Sequence, residues 1–150
     1  MLFAVDVIAS ECEDTYYYVL YNYDPHYATG RVRAFELSVR YAYIYGKPFL
    51  PSSWAYDITN YNSSCGVASV MTAAAKSDKQ TIRDGDLKKI IIIRQPKNKS
   101  ADKIRVAMSA IYMKKKGGIG IGFATLDNID NEDFTLKKIN KCLPKKPRRH

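Results

Sequence analysis

The chain has 150 residues, 46% of them hydrophobic and 26% charged. That is enough apolar length to bury a core without metal or disulfide staples, and the composition excludes a disordered tail. Lys and Arg number 24 against 15 Asp and Glu, a formal charge of +9, which points to anionic partners. The charge is unevenly spread: residues 1–75 sum to -3 and residues 76–150 to +12, whereas eleven of the twelve tyrosines lie at or before Tyr61. Residues 1–143 read as one domain with an acidic, Tyr-rich half (1–75) and a basic half (76–143), followed by a basic tail (144–150).

In chain order, residues 2–9 are short, β-branched and interrupted by Asp6, which suits a buried strand. They are too short for a membrane span and lack the basic flank of a leader. Residues 15–23 (TYYYVLYNY) are rich in strand formers, with Tyr17, Tyr21 and Tyr23 sharing a face with Val19, and Tyr16, Tyr18 and Leu20 on the other. Residues 31–45 fit both periods, but alternation places Phe35, Leu37, Val39, Tyr41, Tyr43 and Tyr45 together, so a strand is expected. Residues 64–77 are Ala-rich, with Val67, Val70 or Met71, and Ala74 at helical spacing. Residues 87–93 contain four consecutive isoleucines, the pattern of a strand buried on both faces.

Residues 101–116 predict a helix: Ser100 as cap, Asp102 in the first turn, a stripe of Ile104, Ala107 or Met108, and Ile111, and Lys114, Lys115 and Lys116 ahead of Gly117. Residues 119–126 predict a Gly-interleaved strand. Residues 131–143 predict a last helix with Leu136, Ile139 and Leu143 inside. The expected fold class is therefore α/β (or α+β), with N-terminal Tyr-rich antiparallel strands, then alternating helices and strands in a single mixed sheet with packed helices.

The basic segments are the main functional cue. Lys88, Lys89, Arg94, Lys97, Lys99, Lys103, Arg105, Lys114, Lys115, Lys116, Lys145, Lys146, Arg148 and Arg149, with Lys137, Lys138 and Lys141, are candidates to neutralise phosphates. Tyr17, Tyr21, Tyr41, Tyr43 and Tyr45 are candidate stacking or interface residues. Because the tyrosines lie in the acidic half, core and interface roles suit them better than a base-stacking groove. Residues 119–126 (IGIGFATL) resemble the RNA-recognition-motif octamer at Gly120, Gly122 and Phe123, but Ile119 and Ile121 stand where its key side chains belong. The glycines from Gly117 lack the Gly-Lys-Ser/Thr of a phosphate loop.

Two catalytic alternatives remain. Asp6 in the first strand, followed by two more strands and then a β-α alternation, is the topology of ribonuclease-H-like folds. Residues 90–112 and 126–134 resemble parts of the poxviral and mitochondrial Holliday-junction resolvases. That resemblance implies a ribonuclease-H-like nuclease whose carboxylates Asp6, Asp127 and Asp130 hold a divalent metal. The family's strand-ending Glu is missing, because Ile93 precedes Arg94-Gln95-Pro96. Cys65 at a helix start would need His26 as base. Cys12, Cys65 and Cys142 are odd in number and widely spaced, which fits a reducing compartment and no zinc site.

The sequence thus reads as a non-catalytic, intracellular, soluble protein that binds DNA or RNA without a cofactor, in an oligomer or larger assembly. The alternative is a structural or protein-interaction subunit contacting its partners through tyrosines.

Overall fold

The computed structural model describes residues 12–23, 30–64, 66–99, 103–113, 119–125 and 133–144. These form ten strands: β1 (Thr15–Tyr21), β2 (Arg31–Arg40), β3 (Tyr43–Tyr45), β4 (Ala55–Ser63), β5 (Gly66–Ala74), β6 (Ile82–Arg83), β7 (Lys89–Gln95), β8 (Arg105–Tyr112), β9 (Ile119–Thr125) and β10 (Phe134–Lys138). The first sheet has the order β10-β1-β7-β3, and the second β4-β5-β2-β8-β9 with the short β6 beside β2. All these pairs are antiparallel. The chain crosses repeatedly between sheets, and alternate residues of both meet in one core that includes Val19, Leu37, Met71, Ile91, Val106 and Phe134. This is sandwich geometry.

The α/β expectation is thereby overturned, and so is the single mixed sheet of a ribonuclease-H-like layout. The described residues contain only single 3-10 turns as helix, at Asp78–Gln80, Asp84–Asp86 and Lys97–Lys99. Each of the three expected helices gives way to a strand, with a local reason. In β5, Val67, Ser69, Met71 and Ala73 face inward. The period is two, but the polar Ser69 disguises it in sequence. Its hydroxyl accepts from the Ile44 N–H at 3.0 Å and donates to Asn60 Oδ1 at 2.5 Å, which makes its burial tolerable.

In β8, Val106, Met108, Ala110 and Tyr112 are the inward set, while Ile111 lies on the solvent side at 58% exposure. That one exposed isoleucine completes a false helical stripe. In β10, Phe134 and Leu136 alternate into the core. Helix preferences of Ala, Met, Leu and Lys differ from those of strand formers by only about 0.7 kcal/mol per residue or less. Burying one large apolar side chain contributes roughly 1.5–3 kcal/mol, so sheet packing decides.

Residues 31–45 do form strands, but not one continuous face. A bulge between Val32 and Ala34 lets both Val32 and Phe35 face inward. At Tyr41 the backbone takes φ 67, after which Ala42 and Ile44 are the buried residues and Tyr43 and Tyr45 turn to the opposite side. The isoleucine run forms β7, between β1 and β3. The two halves of the sequence are not two halves of the structure: β7 and β10 of the basic half flank β1, and β8 pairs with β2.

Cys12 and Cys142 are joined, with Cα atoms 5.4 Å apart across a sequence separation of 130. The bond ties the approach to β1 to the segment that leaves β10. The odd number and wide spacing of the cysteines gave no sign of this pairing. No helix among the described residues is long and apolar enough to cross a membrane. The expected strand at 2–9, together with His26 and Cys65, lies outside the described residues.

Candidate nucleic-acid interface

The outer face of the first sheet is where aromatic and cationic side chains meet. Its make-up follows from register. Arg94 on β7 stands between Tyr16 on β1 and Tyr43 on β3. In the next row, Ile92 stands between Tyr18 and Tyr45, and Lys137 on β10 lies beyond Tyr18. Because side chains alternate across a strand, the intervening residues Tyr17, Ile93 and Ile44 point the other way, into the core.

The face is ordered by ring and charge contacts. The Arg94 guanidinium lies 4.9 Å from the Tyr43 ring centre and pairs with Asp14 at 2.8 Å. Lys89 Nζ sits 4.1 Å from the ring centre of Tyr18 and 5.3 Å from that of Phe49. Such cation–ring contacts contribute about 0.5–1 kcal/mol at exposed sites and orient the cation. Tyr16 and Tyr45 meet edge to face, with centres 5.0 Å apart, and the Tyr45 hydroxyl donates to the Pro144 carbonyl. Residues 145–150, the basic tail, follow Pro144 directly in sequence.

Of the sequence-derived candidates, Lys89, Arg94, Lys137, Tyr43 and Tyr45 come together here. Lys88 is exposed just ahead of β7, and Lys97 and Lys99 lie in the turn beyond it, where the Lys97 N–H donates to Asp14 at 3.2 Å. Others go elsewhere. Lys103 and Arg105 belong to the approach and start of β8 in the second sheet, with Arg105 opposite Arg40. Tyr17 is a core residue. Tyr21 packs on Phe134 and bonds to Asp84, and the Tyr41 ring lies against Gly66, whose φ of +123 favours glycine at the hairpin. Lys114, Lys115, Lys116, Lys145, Lys146, Arg148 and Arg149 lie outside the described residues, as do Asp6, Asp127 and Asp130. Sequence reasoning left Tyr18 and Phe49 out of the site; Tyr16 shares their face but is buried, 3% exposed and packed against Tyr45. The alternation that separates Tyr16 and Tyr18 from Tyr17 was the signal available for Tyr18.

A second polar cluster, which the sequence pattern does not signal, lies at the Asp84-Gly85-Asp86 turn. Asp84 is 1% exposed. It accepts from the Tyr21 hydroxyl at 3.4 Å and the Tyr112 hydroxyl at 3.5 Å. Burial pushes its carboxyl up to about 6, against the opposing pull of the two hydroxyl bonds. Burial and the neighbouring Asp84 charge in turn push the Tyr112 hydroxyl up to about 12. The cluster borders a cavity of about 620 Å³ that also meets Tyr23, Arg31, Arg83 and Asp86. No group of three or more potential metal ligands occurs among the described residues.

The outer face of the second sheet differs again. Its neighbouring strands present small side chains such as Ala34, Thr72, Ala74 and Ser109, around a shallow groove of about 550 Å³ with Glu36 and Asp57 at its sides. No family model, curated protein or solved structure matches the chain.

Proposed function

We propose that the protein binds single-stranded nucleic acid on the outer face of its first sheet, as a non-catalytic binding protein. The observation that carries this reading is the placement of Lys89, Arg94 and Lys137 on the same face as Tyr18, Tyr43, Tyr45 and Phe49. Cations neutralise phosphates and release counterions, while aromatic rings accept unstacked bases whatever their identity. A duplex hides its base faces and leaves the rings idle, so single strands use the surface most fully. Arg94 is partly neutralised by Asp14; Lys89 and Lys137 supply the larger share of phosphate attraction.

The test is fluorescence anisotropy with labelled oligonucleotides, titrated from roughly 50 to 200 mM salt. Binding is expected to weaken with salt, and Lys89→Gln or Lys137→Gln should each flatten the log–log slope by about 0.7. Absence of binding at low salt, or a slope untouched by both substitutions, overturns the proposal. A sulfated glycan is the rival polyanion, because it offers the same cations a dense row of charges but no bases to stack. Stronger binding to such a glycan than to a single strand of equal charge would decide for the rival.

A further inference from the structure

Among the described residues, β4 has a neighbour on one side only, β5. Its nine residues pair with β5 without interruption, from Ala55 opposite Ala74 to Ser63 opposite Gly66. Natural sheets blunt such edges with lysine, proline, a bulge or short length. β4 (AYDITNYNS) has none of these, and Asp57 is its single charge. It also leaves Tyr56 and Tyr61 about half exposed, at 46% and 52%.

The direction of the free backbone groups follows from the hydrogen bonds next door. The Val67 carbonyl accepts from the Tyr41 N–H at 2.7 Å, on the β2 side of β5. Successive residues of an antiparallel strand address opposite neighbours. Ala68, Val70 and Thr72 therefore address β4, and their partners Tyr61, Thr59 and Asp57 address β5 in return. The N–H and C=O groups of Tyr56, Ile58, Asn60 and Asn62 are left pointing out of the edge. What such a row recognises is another strand.

We propose that this strand is β4 of a second copy of the chain, paired antiparallel about a two-fold axis at Thr59. That register is the one that uses all nine residues, and the sequence is self-complementary in it. Ile58 stands opposite Asn60 of the second copy, and their outward backbone groups exchange hydrogen bonds. Asp57 meets the exposed Tyr61, twice by symmetry, and Tyr56 meets Asn62. At the axis Thr59 meets Thr59, a favourable cross-strand pair, and no like charges face each other. The contact is isologous and closes as a dimer, with the second sheet running continuously through both copies. Because the axis stands perpendicular to that sheet, both first sheets lie on the same side, and their aromatic, cationic faces point the same way. Only this bivalency rests on the nucleic-acid reading; the pairing stands on the β4 edge alone.

Sedimentation equilibrium of the full chain, without nucleic acid, is the test. A dimer is expected, populated at ~0.1 mM or below, a weak-to-moderate affinity. Thr59→Lys and Thr59→Asp each place like charges at the axis and should weaken association at least tenfold, while a mixture of the two restores a heterodimer. A wild-type chain that stays monomeric at that concentration overturns the proposal. Unchanged association of both variants overturns it too. Amide exchange supplies a readout free of substitution: protection at Tyr56, Ile58, Asn60 and Asn62 should rise with protein concentration. Concentration-independent exchange at these four amides counts against the pairing.

Discussion

Replacing Asp84 with asparagine tests the buried cluster most directly. The carboxyl is 1% exposed, and its pKa rises from 3.8 to about 6 because burial disfavours the charged form. A folded pKa above the unfolded one means that the native state binds the proton more tightly. The resulting stability is full below pH 3.8 and is lost as pH rises through about 6. The whole shift corresponds to about 3 kcal/mol, of which about 2 kcal/mol is present at pH 4.5 and almost none at pH 7.5. Most carboxylates in folded proteins behave the other way, so raw pH profiles mix opposing signs.

The substituted side chain is neutral throughout and keeps the shape of the original, with its carbonyl accepting from one tyrosine hydroxyl and its amide donating to the other. Urea unfolding of the wild type and Asp84→Asn at matched pH values cancels every other titration. Relative to wild type, the variant should lose about 2 kcal/mol of its advantage between pH 7.5 and 4.5. A difference that stays flat over that interval, or one that grows toward acid, would refute the account of Asp84 as a carboxyl pushed up by burial.

Two further outcomes follow from packing and covalent structure. Cys142→Ser, or reduction, removes a closure spanning 130 residues and should cost about 5 kcal/mol in the chain-entropy description, seen as a lower midpoint in urea. An unchanged midpoint would mean that the bond does not form in solution. Tyr17→Ala and Tyr43→Ala should separate core from surface. The first empties a core site and should cost roughly 3–5 kcal/mol of stability. The second should leave the unfolding midpoint nearly unchanged and weaken oligonucleotide binding by about 1–3 kcal/mol; equal effects of the two on stability would contradict the assignment of faces.

Local chemistry made part of this protein legible in its sequence. Strand formers at 15–23 and 31–45 and the isoleucine run fall on strands because β-branched and aromatic side chains suit a half-buried pleat wherever they end up. The segments that form β5, β8 and β10 carry helix-like patterns for the converse reason. Ala, Met and Lys are acceptable in either state, and single residues such as Ser69 and Ile111 blurred the alternation. Their state was set by which sheet lay ready to receive them, information that no local window contains.

Composition and residue order already carry the basic excess, the tyrosine enrichment and their separation along the chain. That separation argued against an aromatic, cationic surface, and only the tertiary structure removed the objection. β7, from the basic half, inserts between β1 and β3 of the Tyr-rich half, setting Arg94 over Tyr43 and Lys89 over Tyr18. Antiparallel pairing joins segments by edge hydrogen bonds and shared burial, not by nearness in sequence. Linear charge segregation therefore says little about which side chains share a face.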